Sequence, residues 1–400
     1  MRTVGRVVGR RVVPCDACLQ SGGPMSDDAI RKTPFHALHL ELGARMGPFA
    51  GYDMPIQYPS GVLAEHRHTR EAAGLFDVSH MGQAVLEGLD HASVAGFLET
   101  LVPADILNLA PGRQRYTQFL NESGGVVDDL MVTRPPGADG ALRLVVNAAR
   151  KAVDFALVRE RLPGAVRLTP LDGMALIALQ GPLAAPTLAR LAPSAGLDGI
   201  PFMGARVATF DGVETFVSRS GYTGEDGYEI SLPAGTAETF ARLLLAEPGV
   251  APIGLGARDS LRLEAGLCLY GHELDESIDP VEAAIAWSIQ KRRRAEGGFP
   301  GFERIRNALA KGPHRQRVGV RPEGRAPARE GTQIVSPEGA PIGAVTSGGF
   351  GPSVGAPIAM GFVERAYALF GAEVGLIVRG KLLRARVAAL PFHPHAYYRG

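Results

Sequence analysis

The chain has 400 residues, 46% of them hydrophobic, with 42 Lys and Arg against 41 Asp and Glu for a formal net charge of +1. That length supports two or three domains around a large core, the even charge balance leaves no field to draw in nucleic acid or an anionic membrane, and no apolar run reaches the roughly 18 residues of a membrane span. Cys15, Cys18 and Cys268 are too few for a disulfide framework and point to a reducing compartment, so the chain reads as cytoplasmic and of bacterial type.

Residues 1–24 alternate Arg2, Arg6, Arg10 and Arg11 with valine and glycine and carry almost no acid. They lack the apolar centre of a secretory signal and the serine richness of a transit peptide. They are expected to form a disordered leader dispensable for folding, with the native start at Met25. The Cys15-x-x-Cys18 pair has no βαβ surroundings and no second pair, so neither redox chemistry nor zinc is expected of it.

From Thr33-Pro34 the pattern turns regular. Thr33 caps a helix that Gly43 stops. Ser60 opens a second helix through about Ala73, closed by Gly74. Gln83 to Glu87 reads as a strand, and Asp90 caps a helix to about Leu101. Tyr116 to Leu120 and Val126 to Thr133 form hairpin arms around Asn121-Glu122-Ser123-Gly124-Gly125. A strand from Leu142 to Asn147 precedes a helix from Arg150 to Leu162. Met174 to Leu179 is a strand, followed by a short helix after Pro182. Asp211-Gly212 between two β-type runs is a hairpin signal. Tyr228 to Leu232 is a strand, Thr236 caps a helix, and Ala257 to Ala265 is a helix closed by Gly266. Strands and helices mix without a βαβ repeat, which predicts an α+β fold with antiparallel sheets. Residues 291–315 read as a charged connection. From 316 to 400 short strands at Arg317, Thr332, Ile342, Ile358, Glu373 and Leu382 predict a small barrel or jelly roll.

Three segments carry candidate chemistry. In Val126-Val127-Asp128-Asp129-Leu130-Met131-Val132 two acids lie within an apolar strand. Alternation puts Asp128 on one face and Asp129 on the other, and a buried carboxylate needs a partner or takes up a proton more readily. These residues alone leave two uses open, work on a polar ligand or capping of backbone N–H groups. In Ser220-Gly221-Tyr222-Thr223-Gly224-Glu225-Asp226-Gly227-Tyr228-Glu229 the glycines allow a ligand close to the backbone. Tyr222 and Tyr228 offer ring faces there, and Glu229 offers a carboxylate for adjacent N–H donors. In Gly254-Leu255-Gly256-Ala257-Arg258-Asp259-Ser260-Leu261-Arg262, Arg258 could reach into a cleft, and Asp259 can pair with Arg262. His272-Glu273-Leu274-Asp275-Glu276 reads as a turn cap. His66-x-His68 and His393-x-His395 read as solvated residues and not metal ligands.

In order along the chain these segments, together with Phe76-Asp77-Val78-Ser79-His80-Met81, Leu269-Tyr270-Gly271 and Thr346-Ser347-Gly348-Gly349-Phe350-Gly351-Pro352-Ser353, closely resemble the aminomethyltransferase, or T-protein, family of the glycine cleavage system. The resemblance runs from about Thr33 almost to the C-terminus. It implies a three-domain cloverleaf: two interleaved antiparallel-sheet α+β domains over residues 25–290, and a β-barrel domain over 316–400. It implies transfer of an aminomethyl group from the lipoyl arm of H-protein to tetrahydrofolate, releasing ammonia and forming 5,10-methylenetetrahydrofolate. It assigns Asp129 as the key acid, Tyr222, Glu229 and Arg258 as the pterin-binding set, and Met81, Tyr116 and Asn147 as pocket walls. Asp128, on the other strand face, is expected to be idle in turnover. Tetrahydrofolate is the co-substrate and lipoylated H-protein the partner; no metal, nucleotide cofactor, nucleic acid or membrane is implied. Tyr52 stands where the family usually has Trp, and Pro391-Phe392-His393-Pro394-His395 alters the usual ending. The rival readings are a folate-dependent demethylase or methyltransferase acting on a small free methyl donor, and a folate-binding iron–sulfur assembly factor.

Overall fold

A computed structural model describes residues 30–400. The leader, Cys15, Cys18 and Met25 lie outside the described residues. The first described elements are β1 (Arg31–Lys32), α1 (His36–Glu41), and a hairpin of β2 (Arg45–Phe49) and β3 (Tyr52–Gln57), which together give a three-stranded sheet of order β1-β3-β2. Ala50 and Gly51 make the hairpin turn, both at positive φ (49° and 79°). Sequence reading places no strand here, because Gly47, Pro48 and Pro55 break the alternation. α2 (Val62–Glu71) is followed almost at once by β4 (Ala73–Asp77). The expected helix stop at Gly74 is therefore wrong. Gly74 lies inside β4, where a Cβ would come within 2.6 Å of Thr69 Oγ1 and 2.7 Å of Ile253. Glycine is there to let α2 lie close against the strand, not to end the helix.

Two large sheets follow, and the chain interleaves them. After β4 it builds β5 (Gly82–Glu87), α3 (His91–Leu98), β6 (Arg113–Leu120), β7 (Val126–Arg134), β8 (Ala141–Val146), α4 (Lys151–Arg161) and β9 (Arg167–Pro170). These strands form a five-stranded sheet of order β6-β7-β8-β5-β9. The chain then returns through β10 (Met174–Gln180), α5 (Ala184–Leu191), β11 (Ala205–Phe210), β12 (Val213–Ser218), β13 (Gly227–Pro233), α6 (Ala237–Leu245) and β14 (Val250–Pro252) to complete a six-stranded sheet of order β11-β12-β13-β10-β4-β14. The β11–β12 hairpin turns on Asp211-Gly212, both at positive φ, as the sequence predicts. α7 (Leu255–Glu264) closes this part.

β10 explains how the halves meet. Its residues Ala175, Ile177 and Leu179 enter one core with Leu188 of α5, Phe240 and Leu244 of α6, and Tyr228. The alternate residues Leu176 and Ala178 enter another core with Phe76, Ile253, Ala257 and Leu261, against which Met81, just before β5, and Val145 of β8 pack. A strand covered on both faces reads as a continuous apolar run, and Ala175-Leu176-Ile177-Ala178-Leu179 does.

Helices α8 (Lys291–Glu296) and α9 (Phe302–Lys311) lead into a closed barrel of β15 (Arg315–Pro322), β16 (Gln333–Val335), β17 (Pro341–Gly351), β18 (Ala356–Glu364), β19 (Glu373–Val378) and β20 (Lys381–Ala388). The strand order β15-β18-β17-β16-β19-β20 leaves no free edge. β17 runs on through Gly348-Gly349-Phe350-Gly351, a stretch that stays paired with β18. Among the described residues no helix is long and apolar enough to cross a membrane.

Candidate active site

The acid pair sits where β7 lies between β6 and β8. Asp128 points into the apolar face with Leu130 and Val132 and is fully buried, while Val126, beyond a register shift in the β6–β7 pair, enters a different core. Asp129, on the opposite face, keeps partial exposure. Tyr116, two residues along β6 from the Asp129 partner Gln118, donates its hydroxyl to Asp129 Oδ2 at 3.0 Å. Asn147, just beyond β8, donates its side-chain amide to Asp129 Oδ1 at 2.8 Å and to Asp128 Oδ1 at 2.9 Å, while its backbone N–H reaches Asp128 Oδ2 at 2.9 Å. Burial pushes the Asp129 carboxyl up to about 7, and the neighbouring Asp128 charge adds to this against the Tyr116 and Asn147 donors. Trp287, the single tryptophan of the chain, is 62% exposed. It stacks on Tyr116 with ring centroids 5.5 Å apart.

Across from these groups stands the second set. β13 carries Glu229, which pairs with Ala178 of β10 and Ser218 of β12. Its carboxylate accepts from Ser220 Oγ at 3.1 Å. Burial raises its proton affinity and the Arg258 charge lowers it. Glu229 lines a small cavity together with Val145 and Leu176. Val145 and Asn147 project on the same side of β8 by alternation, so Glu229 looks toward the face that carries Asn147 and Asp129. Arg258, in the first turn of α7, lies over the Tyr222 ring at 5.0 Å. Its Nη1 is buried and has no hydrogen-bond partner among the described residues. The Tyr222 hydroxyl donates to the Cys268 carbonyl, and the Tyr222 ring lies close enough to feel the Asp129 charge. An unpaired buried donor costs about 1–3 kcal/mol, so a ligand acceptor at Arg258 would relieve it. The cleft therefore offers a carboxylate for ring N–H donors, a guanidinium for a carbonyl or carboxylate, aromatic faces, and a second carboxylate of raised proton affinity.

Residues 35–293 match the GCVT N-terminal domain, and residues 315–393 match the glycine cleavage T-protein C-terminal barrel domain. The chain belongs to the glycine cleavage T-protein family. The mitochondrial aminomethyltransferase of Dictyostelium discoideum is 43% identical, covering 93% of this chain and 94% of that protein. The mitochondrial aminomethyltransferase of Gallus gallus is 44% identical over 93% of this chain and 94% of its own. The crystal structure of glycine cleavage system aminomethyltransferase T from Bartonella henselae superposes with a TM-score of 0.86 at 43% identity, over 92% of this chain and all (100%) of that one. The chain is an enzyme of the aminomethyltransferase type, a one-carbon transferase. Its α+β fold with a closed six-stranded barrel is the fold of that family. The curated relatives are mitochondrial enzymes, which overturns the cytoplasmic, bacterial-type placement read from the cysteines. A low cysteine count reports the redox state of a compartment and not which compartment it is.

Other expectations also need correction. Asp128 accepts two hydrogen bonds from Asn147, a link between the two strand faces that sequence reading does not give. Tyr228 is a core residue, fully buried, with its hydroxyl on the Leu197 carbonyl at 2.9 Å. His66 is buried, not solvated, and bonds Glu264 at 3.1 Å and Ser353 at 2.9 Å. His395 holds the Ala265 carbonyl at 2.8 Å, so the altered tail is anchored. Glu273 does cap its turn through Leu269 N at 3.0 Å, and it also makes a buried ion pair with Arg262 at 3.0 Å. The expected Asp259–Arg262 pair is present at 2.8 Å. Trp287 and Asp154 were missed. A lone tryptophan beside a charged segment, and an acid on the Asp154, Phe155, Val158 buried stripe of α4, were the signals available.

Proposed function

We propose that this enzyme takes the aminomethyl group from lipoylated H-protein, with tetrahydrofolate as acceptor. The observation that carries the reading is the opposed pair of sites: Glu229 with the partnerless Arg258 Nη1 and Tyr222 on one side, and Asp129 with Tyr116 and Asn147 on the other. The pterin edge presents an amino group beside a ring N–H, which one carboxylate accepts together. Arg258 takes an oxygen of the ring, and Tyr222 and Met81 supply flat apolar contact. Asp129 stands near the folate nitrogens that react.

The chemistry balances without an external oxidant. The methylene carbon starts bonded to the lipoyl sulfur and to the amino nitrogen. It ends bonded to two folate nitrogens. Those nitrogens lose two protons, one of which completes ammonia and the other the lipoyl thiol. The transfer passes through a cationic iminium, which the Asp129 anion stabilises. With its carboxyl raised to about 7, Asp129 is also matched to receive and return a proton near neutral pH. The domain limits 25–290, 291–315 and 316–400 form part of this proposal, with the cleft built wholly from the first. The test is an assay with aminomethyl-loaded H-protein and tetrahydrofolate, reading ammonia and methylenetetrahydrofolate in equal amounts. Turnover of a small free methyl donor without H-protein would overturn the reading in favour of a demethylase.

A further inference from the structure

Asp154 is a buried acid with no role in the site so far described. It lies in the first turn of α4 with zero exposure, on the stripe that packs Phe155 and Val158 into the core. Among the described residues no N–H or hydroxyl reaches either of its carboxyl oxygens. The nearest cation, Arg150, is turned elsewhere: its Nε donates to the Val127 carbonyl at 2.9 Å, and its Nη2 bonds Glu276 at 2.7 Å. Among the described residues the carboxyl that Asp154 meets is that of Asp128, close enough for a protonated one to donate to the other. Two carboxyls in contact, both out of water, cannot both be ionised and must share a proton. Asp128 is the member held by two Asn147 donors, so the anion belongs there and the proton belongs on Asp154.

We propose that Asp154 is a positioning residue: as a neutral acid it donates its hydrogen bond to Asp128, keeps Asp128 charged, and through Asn147 holds Asp129 ready to exchange a proton. The chain of contacts is continuous, from Asp154 to Asp128, to the Asn147 amide, to Asp129, to the Tyr116 hydroxyl. The other titratable groups facing it are Arg150 from the start of α4, Tyr270 and Glu276 from the 269–276 turn, and Cys268 beside Asp129. Burial and the Asp128 charge both raise the Asp154 carboxyl, in keeping with a proton retained there at neutral pH. The inference rests on the reading of Asp129 as the carboxylate at the reacting centre.

Two measurements test it. In the full-length enzyme with loaded H-protein and tetrahydrofolate, Asp154→Leu keeps bulk but removes the donor. Asp128 then holds the proton itself, its charge disappears, and Asp129 ionises at lower pH. The acid limb of the turnover profile should move down by about one pH unit, with a severalfold loss of turnover at the plateau. Asp154→Asn, whose amide donates permanently, should move the limb and the turnover back toward the wild-type values. A folded Asp154→Leu enzyme with an unmoved acid limb overturns the proposal, as does an Asp154→Asn enzyme as impaired as Asp154→Leu. The second measurement needs no activity. The infrared carbonyl stretch of a protonated carboxyl should persist in the wild-type protein at pH 8, vanish in Asp154→Asn and survive in Asp129→Asn. Absence of that band in the wild type overturns the proposal even if Asp154→Leu does not fold. Failure of the underlying reading would show differently, as full turnover in Asp129→Asn.

Discussion

At the scale of single residues the site depends on one strand placing two acids on opposite faces. Asp129 faces the cleft, and Asp128 supports it from behind. Removing the Asp129 charge with Asp129→Asn should lower turnover on the order of 100- to 1000-fold, the usual loss for one preorganised electrostatic group. Folate binding should fall far less, because Glu229, Arg258 and Tyr222 remain; ammonia release at saturating folate checks the first claim and ligand-induced stabilisation the second. The pH dependence follows from the raised carboxyl. Asp129 is protonated below about 7 and anionic above, so turnover should climb between pH 6 and 8, and Asp129→Asn should flatten that limb.

At the scale of elements the cleft depends on how α7 is seated. Its N-terminus lies against β3, where a Cβ on Gly254 would come 2.5 Å from the Ile56 carbonyl oxygen. Gly254→Ala should push α7 and Arg258 outward at a cost of about 1–3 kcal/mol, and a calorimetric titration should show weakened folate binding. The far end of α7 carries a different load. Glu264 is buried and accepts from His66 at 3.1 Å, Arg70 at 3.1 Å and the backbone N–H of Ser353 at 2.7 Å. These contacts tie α2 and α7 to the β17–β18 turn of the barrel. Burial opposes the Glu264 charge, but His66 and the Ser353 donors outweigh it and hold the carboxyl down near 2. Its stabilising effect is thus complete above its unfolded value of 4.5 and lost as pH falls toward 2. Glu264→Ala leaves His66 and Arg70 without their shared carboxylate and should cost about 3–5 kcal/mol, read as a lower midpoint in denaturant unfolding.

At the scale of the whole molecule the cleft draws residues from strands of two sheets and from a helix that follows both. A ligand that binds only the assembled cleft stabilises the folded state, by roughly 2.7 kcal/mol at a hundredfold excess over Kd. Tetrahydrofolate should therefore raise the melting temperature, and NAD or FAD should not. Glu229→Gln should shrink the shift, because an amide cannot accept both pterin donors as a carboxylate does. An undiminished shift would remove Glu229 from the site.

Local chemistry was enough to read many of the elements from the chain, though not the β1–β3 sheet or β4. The Asp211-Gly212 hairpin, the β7 and β13 strands, α7 and the six barrel strands all announce themselves through periodicity and turn residues. The opposition of Asp128 and Asp129 is equally local, since alternation along a strand is a property of the backbone. What no stretch of sequence contains is contact between distant segments. Gly74 looks like a helix stop until Thr69 and Ile253 are found against it. Tyr228 and Tyr222 look alike until one is seen in the core and the other in the cleft. Asp154 looks like a helix-surface acid until folding brings it against Asp128, 26 residues earlier in number, across the β8–α4 connection. Side-chain periodicity is encoded one turn or one pleat at a time, whereas burial and charge state depend on which elements pack together, and only the tertiary structure decides that.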